Sequence, residues 1–481
     1  MRAALLAALF AVAATSALAD TLFDTPAAPP ASANPSTHLS ITELVLGQTR
    51  SALVLPADEA ERVPFKRREA VLADMDNRRM FVKNADGVVR QYRVGIGRPH
   101  AHIPLGRTRI TSKRVDPSWW PTPRARRRDP TLPAMVKASS DNPLGTRAMN
   151  FSWKYYLIHG TNDARKIGRG ATWGCISLYE TEVGAVFDTL TIGTRTRVEP
   201  TLLVRIGDDG GLDPVLIARL LVKKGTTAAP TAGTRLTKGC TLALTCRGPV
   251  EVASLAPYPP IPTPACRARA CAVAEGSRPL PAIDVAKGIA DNRAAVAALR
   301  KGPHTYERLT KARRGFADAV RAGHLPALAN LALVEARLGN LTLARRVADA
   351  AVEAGILEAH PLAAYFAIEG IGGPRDLPAA LALVRSADAA GAAGTGAVYD
   401  LDLAYLFSPK HWGMLQQALT AAGFDAGPAN KLFKDQSWAA LTAFANRHGV
   451  AKTVSLRTLS RLDLVDAVSN TLQTQRYIRR Y

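Results

Sequence analysis

Two reactive side chains stand close together in the sequence: His159, in Ile158-His159-Gly160-Thr161, and Cys175, in Thr172-Trp173-Gly174-Cys175-Ile176-Ser177. A cysteine attacks carbonyl carbon as the thiolate, so it needs a depressed pKa or a base within hydrogen-bond reach, and a histidine titrating near neutrality supplies either. Gly174, just ahead of the thiol, lets the backbone turn sharply and bring amide N–H groups toward a developing oxyanion. These are the parts of a cysteine acyl-transfer centre, with Cys175 as nucleophile and His159 as proton acceptor and donor. The competing reading is structural: a lone cysteine is commonly a small buried hydrophobe, and His159 could end a core strand after Tyr155-Tyr156-Leu157.

The other four cysteines, Cys240, Cys246, Cys266 and Cys271, fall in one Pro/Gly/Thr-rich stretch, which leaves Cys175 odd in number. Their spacings lack the two-residue gaps of zinc knuckles and favour disulfides, with three pairings open. Oxidation fits the N-terminus. Arg2 precedes an apolar run over residues 3–14, and Ala17-Leu18-Ala19 puts small residues where a signal peptidase cuts, so residues 1–19 read as a signal peptide. The run is short for a membrane span and no later stretch is long, apolar and uncharged, so no transmembrane segment is expected after cleavage. The expected location is the periplasm or cell envelope.

The 481 residues are enough for about three domains, and 47% hydrophobic content excludes wholesale disorder. A net charge of +22, from 62 basic against 40 acidic side chains, suits an anionic wall or membrane surface in an exported protein rather than nucleic acid; an ordinary solvated basic surface is the plain alternative. No cofactor is called for, and His100 and His102 lack a third ligand, so they read as surface residues and not as a metal site.

The elements that must position the pair follow from periodicity. Residues 20–62 read as a linker and N-terminal extension, rich in Pro, Ala and Ser over residues 25–37. Short apolar or alternating runs at residues 69–75, 79–83, 86–90, 91–97, 107–112 and 155–159, with a turn signal at Asp86-Gly87, predict a β-rich domain over residues 63–200.

Within that domain Val94-Gly95-Ile96-Gly97-Arg98, Ile110-Thr111-Ser112-Lys113-Arg114, Asn142-Pro143-Leu144-Gly145-Thr146-Arg147, His159-Gly160-Thr161 and Gly174-Cys175-Ile176 occur in order. The segment resembles the YkuD-type L,D-transpeptidase catalytic domain. The resemblance implies a mixed β-sandwich and an enzyme that cleaves after the third residue of a peptidoglycan stem tetrapeptide, holds the acyl group as a thioester on Cys175, and passes it to an amine. It implies proton transfer by His159, backbone groups of Gly160, Trp173 and Gly174 that orient the histidine or bind the oxyanion, and Thr161 and Ser177 facing the substrate. The family's Ser-His-Gly-Cys-Ile-Arg stands here as Thr172-Trp173-Gly174-Cys175-Ile176-Ser177, without the second histidine and the arginine. Arginine pairs bidentately with carboxylates, so its replacement by Ser177 alters recognition of a stem-peptide carboxylate. With water as acceptor the same site would be an L,D-carboxypeptidase or amidase; without turnover the chain would be a β-lactam-sensing module or a wall-anchored binding protein.

Residues 201–303 read as a Cys-containing connector. From Tyr306 an Ala/Leu-rich helical period sets in, and Ala317-Asp318-Ala319, Ala348-Asp349-Ala350 and Ala387-Asp388-Ala389 recur ahead of Gly323, Gly355 and Gly391. Residues 304–408 thus resemble Sel1/TPR-like repeats of stacked helix pairs, a possible seat for a protein partner. Residues 409–466, with Leu415, Leu419, Leu441 and Phe444 as a core, resemble a small three-helix peptidoglycan-binding domain; residues 467–481 form a basic tail.

Overall fold

The computed structural model describes residues 37–46, 52–98, 101, 103–128, 132–202 and 284–474. The signal-peptide stretch, His100, His102 and the four clustered cysteines lie outside the described residues. No helix among the described residues is long and apolar enough to cross a membrane.

The strands are β1 (Leu53–Val54), β2 (Glu69–Asp74), β3 (Arg79–Lys83), β4 (Val89–Arg93), β5 (Ile96–Gly97), β6 (Gly106–Val115), β7 (Arg147–Phe151), β8 (Leu157–His159), β9 (Gly170–Thr172), β10 (Ile176–Ser177) and β11 (Arg195–Glu199). The β-rich expectation is met by one continuous sheet whose two halves share a core. Among the described residues, nine strands form one continuous sheet in the order β1-β4-β3-β2-β11-β6-β7-β8-β10, with β5 and β9 as a separate pair. The reason is β6. Its residues 106–109 pair with β11, its later residues with β7, and the ladder is irregular between Ile110 and Ser112. A single long strand thus carries the sheet round a corner that two separate sheets would leave open.

Strands β2 and β3 are apolar without a break because both faces of the sheet are covered. Val71, Ala73, Met80 and Val82 point into a core with Ile110, Ile158, Ile176 and Val198. Leu72 and Phe81, one residue out of phase, point the other way and join a larger core built from helices.

Those helices form three antiparallel hairpins. With α1 (Ala57–Arg62), α2 (Pro123–Arg128) and α3 (Glu180–Thr189) in the catalytic half, they are α4 (Val285–Arg300) on α5 (Tyr306–Arg321), α6 (Ala327–Arg337) on α7 (Leu341–Glu353), and α8 (His360–Glu369) on α9 (Leu377–Ala389). The Ala-Asp-Ala recurrences sit at the ends of α5, α7 and α9. After each, the glycine takes positive φ (96°, 78° and 68°), and the next residue's N–H returns to Ala319, Ala351 or Ala387 at 2.9 Å. This is the helix-stop geometry that only glycine adopts without strain. Beyond them lie α10 (Thr395–Tyr399), α11 (Pro409–Ala421), α12 (Asp435–His448), α13 (Leu456–Arg461) and α14 (Val465–Thr474). Leu415, Leu419, Leu441 and Phe444 are buried.

Three boundaries shift. The helical module begins at Val285, inside the stretch read as connector, where Asp284 caps α4 by accepting from Lys287 N–H at 3.0 Å. At the other end α14 runs to Thr474, into the stretch read as tail. The supposed linker also contributes to the core: Leu39, Ile41, Leu44 and Val45 are buried among the helices, and the Leu39 N–H donates to Asn330 Oδ1 at 2.8 Å. The apolar run after Thr37 carries the side chains that make this burial.

Candidate active site

Strands β8 and β10 run parallel, with Ile158 opposite Ile176 and His159 opposite Ser177. Cys175 therefore enters β10 at the level of Leu157, two residues from the imidazole on the neighbouring strand. The thiol lies half-buried against the cluster of Leu144, Ala148 and Leu157. Burial pushes it up to about 11, against a smaller opposing effect of the Leu157 backbone. His159 is 6% exposed. Burial holds it down to about 4, opposed by its bond to Gly160 and reinforced by the nearby Lys166 charge. At neutral pH the resting pair is therefore an uncharged thiol and an uncharged imidazole.

The tautomer follows from the backbone. His159 Nδ1 lies 2.5 Å from the Gly160 carbonyl. A carbonyl only accepts, so Nδ1 carries the proton and Nε2 is left as the basic nitrogen. Among the described residues no hydrogen bond joins that imidazole to the thiol; Cys175 Sγ instead donates to the Tyr155 carbonyl at 3.7 Å. The base is one strand away from its expected partner.

The turn before the nucleophile is closed from inside. Thr172 Oγ1 donates to the Cys175 carbonyl at 2.7 Å and accepts from Gly174 N–H at 3.1 Å. Gly174 has φ +115°, a left-handed-side conformation that side chains resist. Its amide N–H is thereby engaged within the turn. Gly97 of β5 packs so closely on this turn that a Cβ there would collide with the Ala101 carbonyl and lie 3.0 Å from Gly174 Cα. Half-buried Trp173 is covered by the Arg98 guanidinium, 4.6 Å from the ring centroid.

Two residues expected to face substrate do not. Ser177 is 1% exposed, and its hydroxyl, pressed against Gly95, has no hydrogen-bond partner among the described residues. Thr161 Oγ1 closes its own turn, donating to the Asp163 carbonyl at 3.2 Å and accepting from Asp163 N–H at 3.1 Å. Ser177 is internal because Gly95 bridges to it, and Thr161 because its hydroxyl closes the turn on Asp163.

One residue that the sequence reading passed over organises the site. Glu180, at the start of α3, accepts from Thr161 N–H at 2.8 Å with one oxygen and from Thr146 N–H and Oγ1 at 3.2 and 2.9 Å with the other. It ties the histidine strand to the loop over residues 142–147. Gly145 and Gly160 make room for it, since a Cβ at either would collide with Oε1. Asn142, fully buried, pins the same loop by donating to the Pro117 and Lys137 carbonyls at 2.6 and 3.1 Å. Glu180 was findable as an acid opening a helix directly after the nucleophile strand, where it meets free backbone N–H groups.

The helical module buttresses the segment leading into the nucleophile turn. Glu369, with no exposed side-chain surface, accepts from Arg169 Nε at 2.7 Å, Arg78 Nη1 at 2.9 Å and Tyr405 OH at 2.6 Å. Arg78 and Tyr365 also donate to the Gly168 carbonyl, at 2.7 and 3.2 Å. Gly168 and Arg169 immediately precede β9, so these bonds fix the strand from which the Cys175 turn springs. No group of three His, Cys, Asp or Glu side chains suited to a metal occurs among the described residues.

Residues 68–200 match the family model of the L,D-transpeptidase catalytic domain, YkuD. A putative L,D-transpeptidase from Fuscovulum blasticum is 47% identical over 93 residues, 19% of this chain and 49% of the relative. The probable L,D-transpeptidase ErfK/SrfK of Escherichia coli is 31% identical over 162 residues, 32% of this chain and 51% of the relative. The chain thus spans about half the length of these curated relatives. L,D-transpeptidase 3 from Mycobacterium tuberculosis superposes at a TM-score of 0.24 with 18% identity, over 27% of this chain and 61% of that one, a likeness too slight to argue from. Motifs, sheet and family model together identify residues 68–200 as an L,D-transpeptidase catalytic domain of the YkuD type, an acyltransferase domain followed here by helices beyond the matched span.

Proposed function

We propose that this chain is an exported cysteine L,D-transpeptidase of the cell envelope that acts on peptidoglycan stem peptides through a thioester, forming 3-3 cross-links or attaching another amine acceptor. The observation that supports it most is the parallel β8/β10 register, which sets Cys175 beside the strand that ends in His159 with Nε2 bare. In the first half-reaction Sγ leaves the Tyr155 carbonyl, its proton passes to Nε2, and sulfur bonds to the carbonyl carbon after the third residue of the stem. The C–N bond breaks and the leaving amine takes the proton from His159. In the second, an acceptor amine gives a proton to Nε2 and attacks the thioester. The new amide forms, the C–S bond breaks, and the proton returns to sulfur.

A thiol held near 11 is protonated at neutral pH, which favours proton transfer to His159 in step with attack over a preformed thiolate. The carboxyl-terminal helices, in this reading, include the Sel1/TPR-like and peptidoglycan-binding-like modules that hold the enzyme at the wall and offer a surface to a protein partner.

Mass spectrometry of the mature protein mixed with a disaccharide-tetrapeptide, beside Cys175→Ala, tests the proposal. An adduct on Cys175 with a cross-linked dimer is expected. A shortened peptide without dimer would make water the acceptor and the enzyme a carboxypeptidase; no adduct on Cys175 would overturn the acyl-enzyme.

A further inference from the structure

A cavity of about 240 Å³ lies between the loop that precedes β9 and the helical module. Arg98, Arg165, Lys166 and Arg169 line it from the catalytic side, and Asp402 and Tyr405 roof it from the module. The catalytic domain by itself would leave this space an open groove. The volume equals that of about eight waters, or one amino-acid residue with its terminal group.

Its cations are not equally committed. Arg165 is held bidentately by Asp163 at 2.8 and 3.0 Å, and Arg169 faces Glu369. Lys166 Nζ has no carboxylate within ion-pair distance among the described residues, and reaches only Asn162 Oδ1 at 3.5 Å. Burial, together with the charges of Arg98 and Arg165, disfavours its ammonium form, and the Asp163 charge only partly offsets this. An anion in the cavity would relieve that repulsion. Asp163 and Asp402, which also line the cavity, offset only part of its positive charge, and a carboxylate would meet what remains.

The cavity is also coupled to the reacting groups. The Lys166 charge is felt at His159. Arg98 covers Trp173, and its neighbour Gly97 abuts Gly174, so the cavity wall is continuous with the turn that carries Cys175.

We propose that this cavity binds the free carboxylate at the end of a peptide substrate, with Lys166 and Arg98 as its contacts and residues 402–405 of the helical module as its roof. The proposal rests on the transpeptidase reading for the identity of the peptide. It makes the helical module part of the substrate site and the enzyme a reader of chain ends.

The test is calorimetric binding to full-length Cys175→Ser protein of a stem tetrapeptide carrying either a carboxyl-terminal acid or an amide. The acid is expected to bind about tenfold more tightly, as one charge-assisted contact implies. In Cys175→Ser/Lys166→Gln the preference should fall below about twofold, and in Cys175→Ser/Lys166→Arg it should persist, which separates lost charge from lost fold. A matching tripeptide lacks the scissile bond and can bind only as acceptor: an acid preference there too assigns the site to the acceptor end, and a preference confined to the tetrapeptide assigns it to the donor. Equal binding of acid and amide, or a preference untouched by Lys166→Gln, overturns the site. Thioester formation by active protein, followed in parallel, is a separate readout: an adduct without acid preference sinks the cavity proposal alone, and acid preference without an adduct sinks the transferase reading alone.

Discussion

Replacing Glu369 by glutamine should cost stability in a pH-dependent way whose size can be worked out from its surroundings. Burial by itself would raise this carboxyl, but the guanidinium groups of Arg169, Arg78 and Arg375, with the Tyr405 hydroxyl, outweigh it and hold it from an ordinary 4.5 down to about 2. That difference is worth roughly 3 kcal/mol in favour of the folded chain. Since the folded pKa lies below the unfolded one, the contribution is complete above pH 4.5 and fades as pH falls toward 2. Glutamine keeps the shape and removes the charge while Arg78 and Arg169 stay buried, so the loss at pH 7 should reach about 3–5 kcal/mol. Urea unfolding of both proteins at pH 7 and at steps down to pH 2.5 reads it out. The gap between their midpoints should be wide at pH 7 and should narrow as wild type itself becomes protonated. A loss below about 1 kcal/mol at pH 7, or a gap that does not change with pH, would refute the claim that the ion cluster carries the domain contact.

His159 gives the complementary signature: its pKa is held from 6.5 down to about 4, so folded stability should fall by roughly 3 kcal/mol as pH drops through that window, and His159→Gln should flatten the slope in the same urea series. Alkylation of Cys175 by iodoacetamide, followed by intact mass, should be slow at pH 7.5 and accelerate toward pH 10; rapid labelling at neutral pH would contradict a thiol pushed up to about 11. Glu180→Ala frees the loop over residues 142–147 from the histidine strand and should slow acylation of Cys175 about tenfold or more while leaving far-UV dichroism unchanged. Gly174→Ala forces a side chain into φ +115° and should lower stability by about 1–3 kcal/mol in urea unfolding together with acyl-enzyme yield.

The sequence was informative where chemistry or period is local. His159 and Cys175 declare themselves by type, and the glycine stops after α5, α7 and α9 repeat at recognisable intervals. Less was visible where the cause is tertiary. The apolar run of β2 marks a strand, but not that helices nearly three hundred residues away cover one of its faces: Arg78 and Glu369 are 291 positions apart. The burial of Ser177 follows from its antiparallel bridge to Gly95, a pairing that no local pattern encodes. Helix α4 was passed over because the Pro- and Gly-rich composition of the preceding residues was extended across it, although Asp284 ahead of an alanine-rich run is a helix-start signal. Glu180 was missed because a lone acid at the start of a helix reads as surface charge until the backbone N–H groups it meets are known.

The seating of residues 37–46 among the carboxyl-terminal helices bears on how the chain comes into being. Thr37 gives its carbonyl to Asn292 and Asn330 at 2.8 and 2.9 Å, and Glu43 meets Arg300 at 2.9 Å, so the earliest described segment to leave the ribosome completes its packing only with α4 and α6, 255 to 293 positions later. The whole catalytic domain is looped out between them. Contacts of such long range form slowly, and until they do Leu39, Ile41, Leu44 and Val45 present a sticky strip to neighbouring chains. Prior folding of the intervening sheet would shorten the effective loop and lower the entropy of closing it. The clasp that these bonds form around the catalytic domain can therefore close only once synthesis has passed α6.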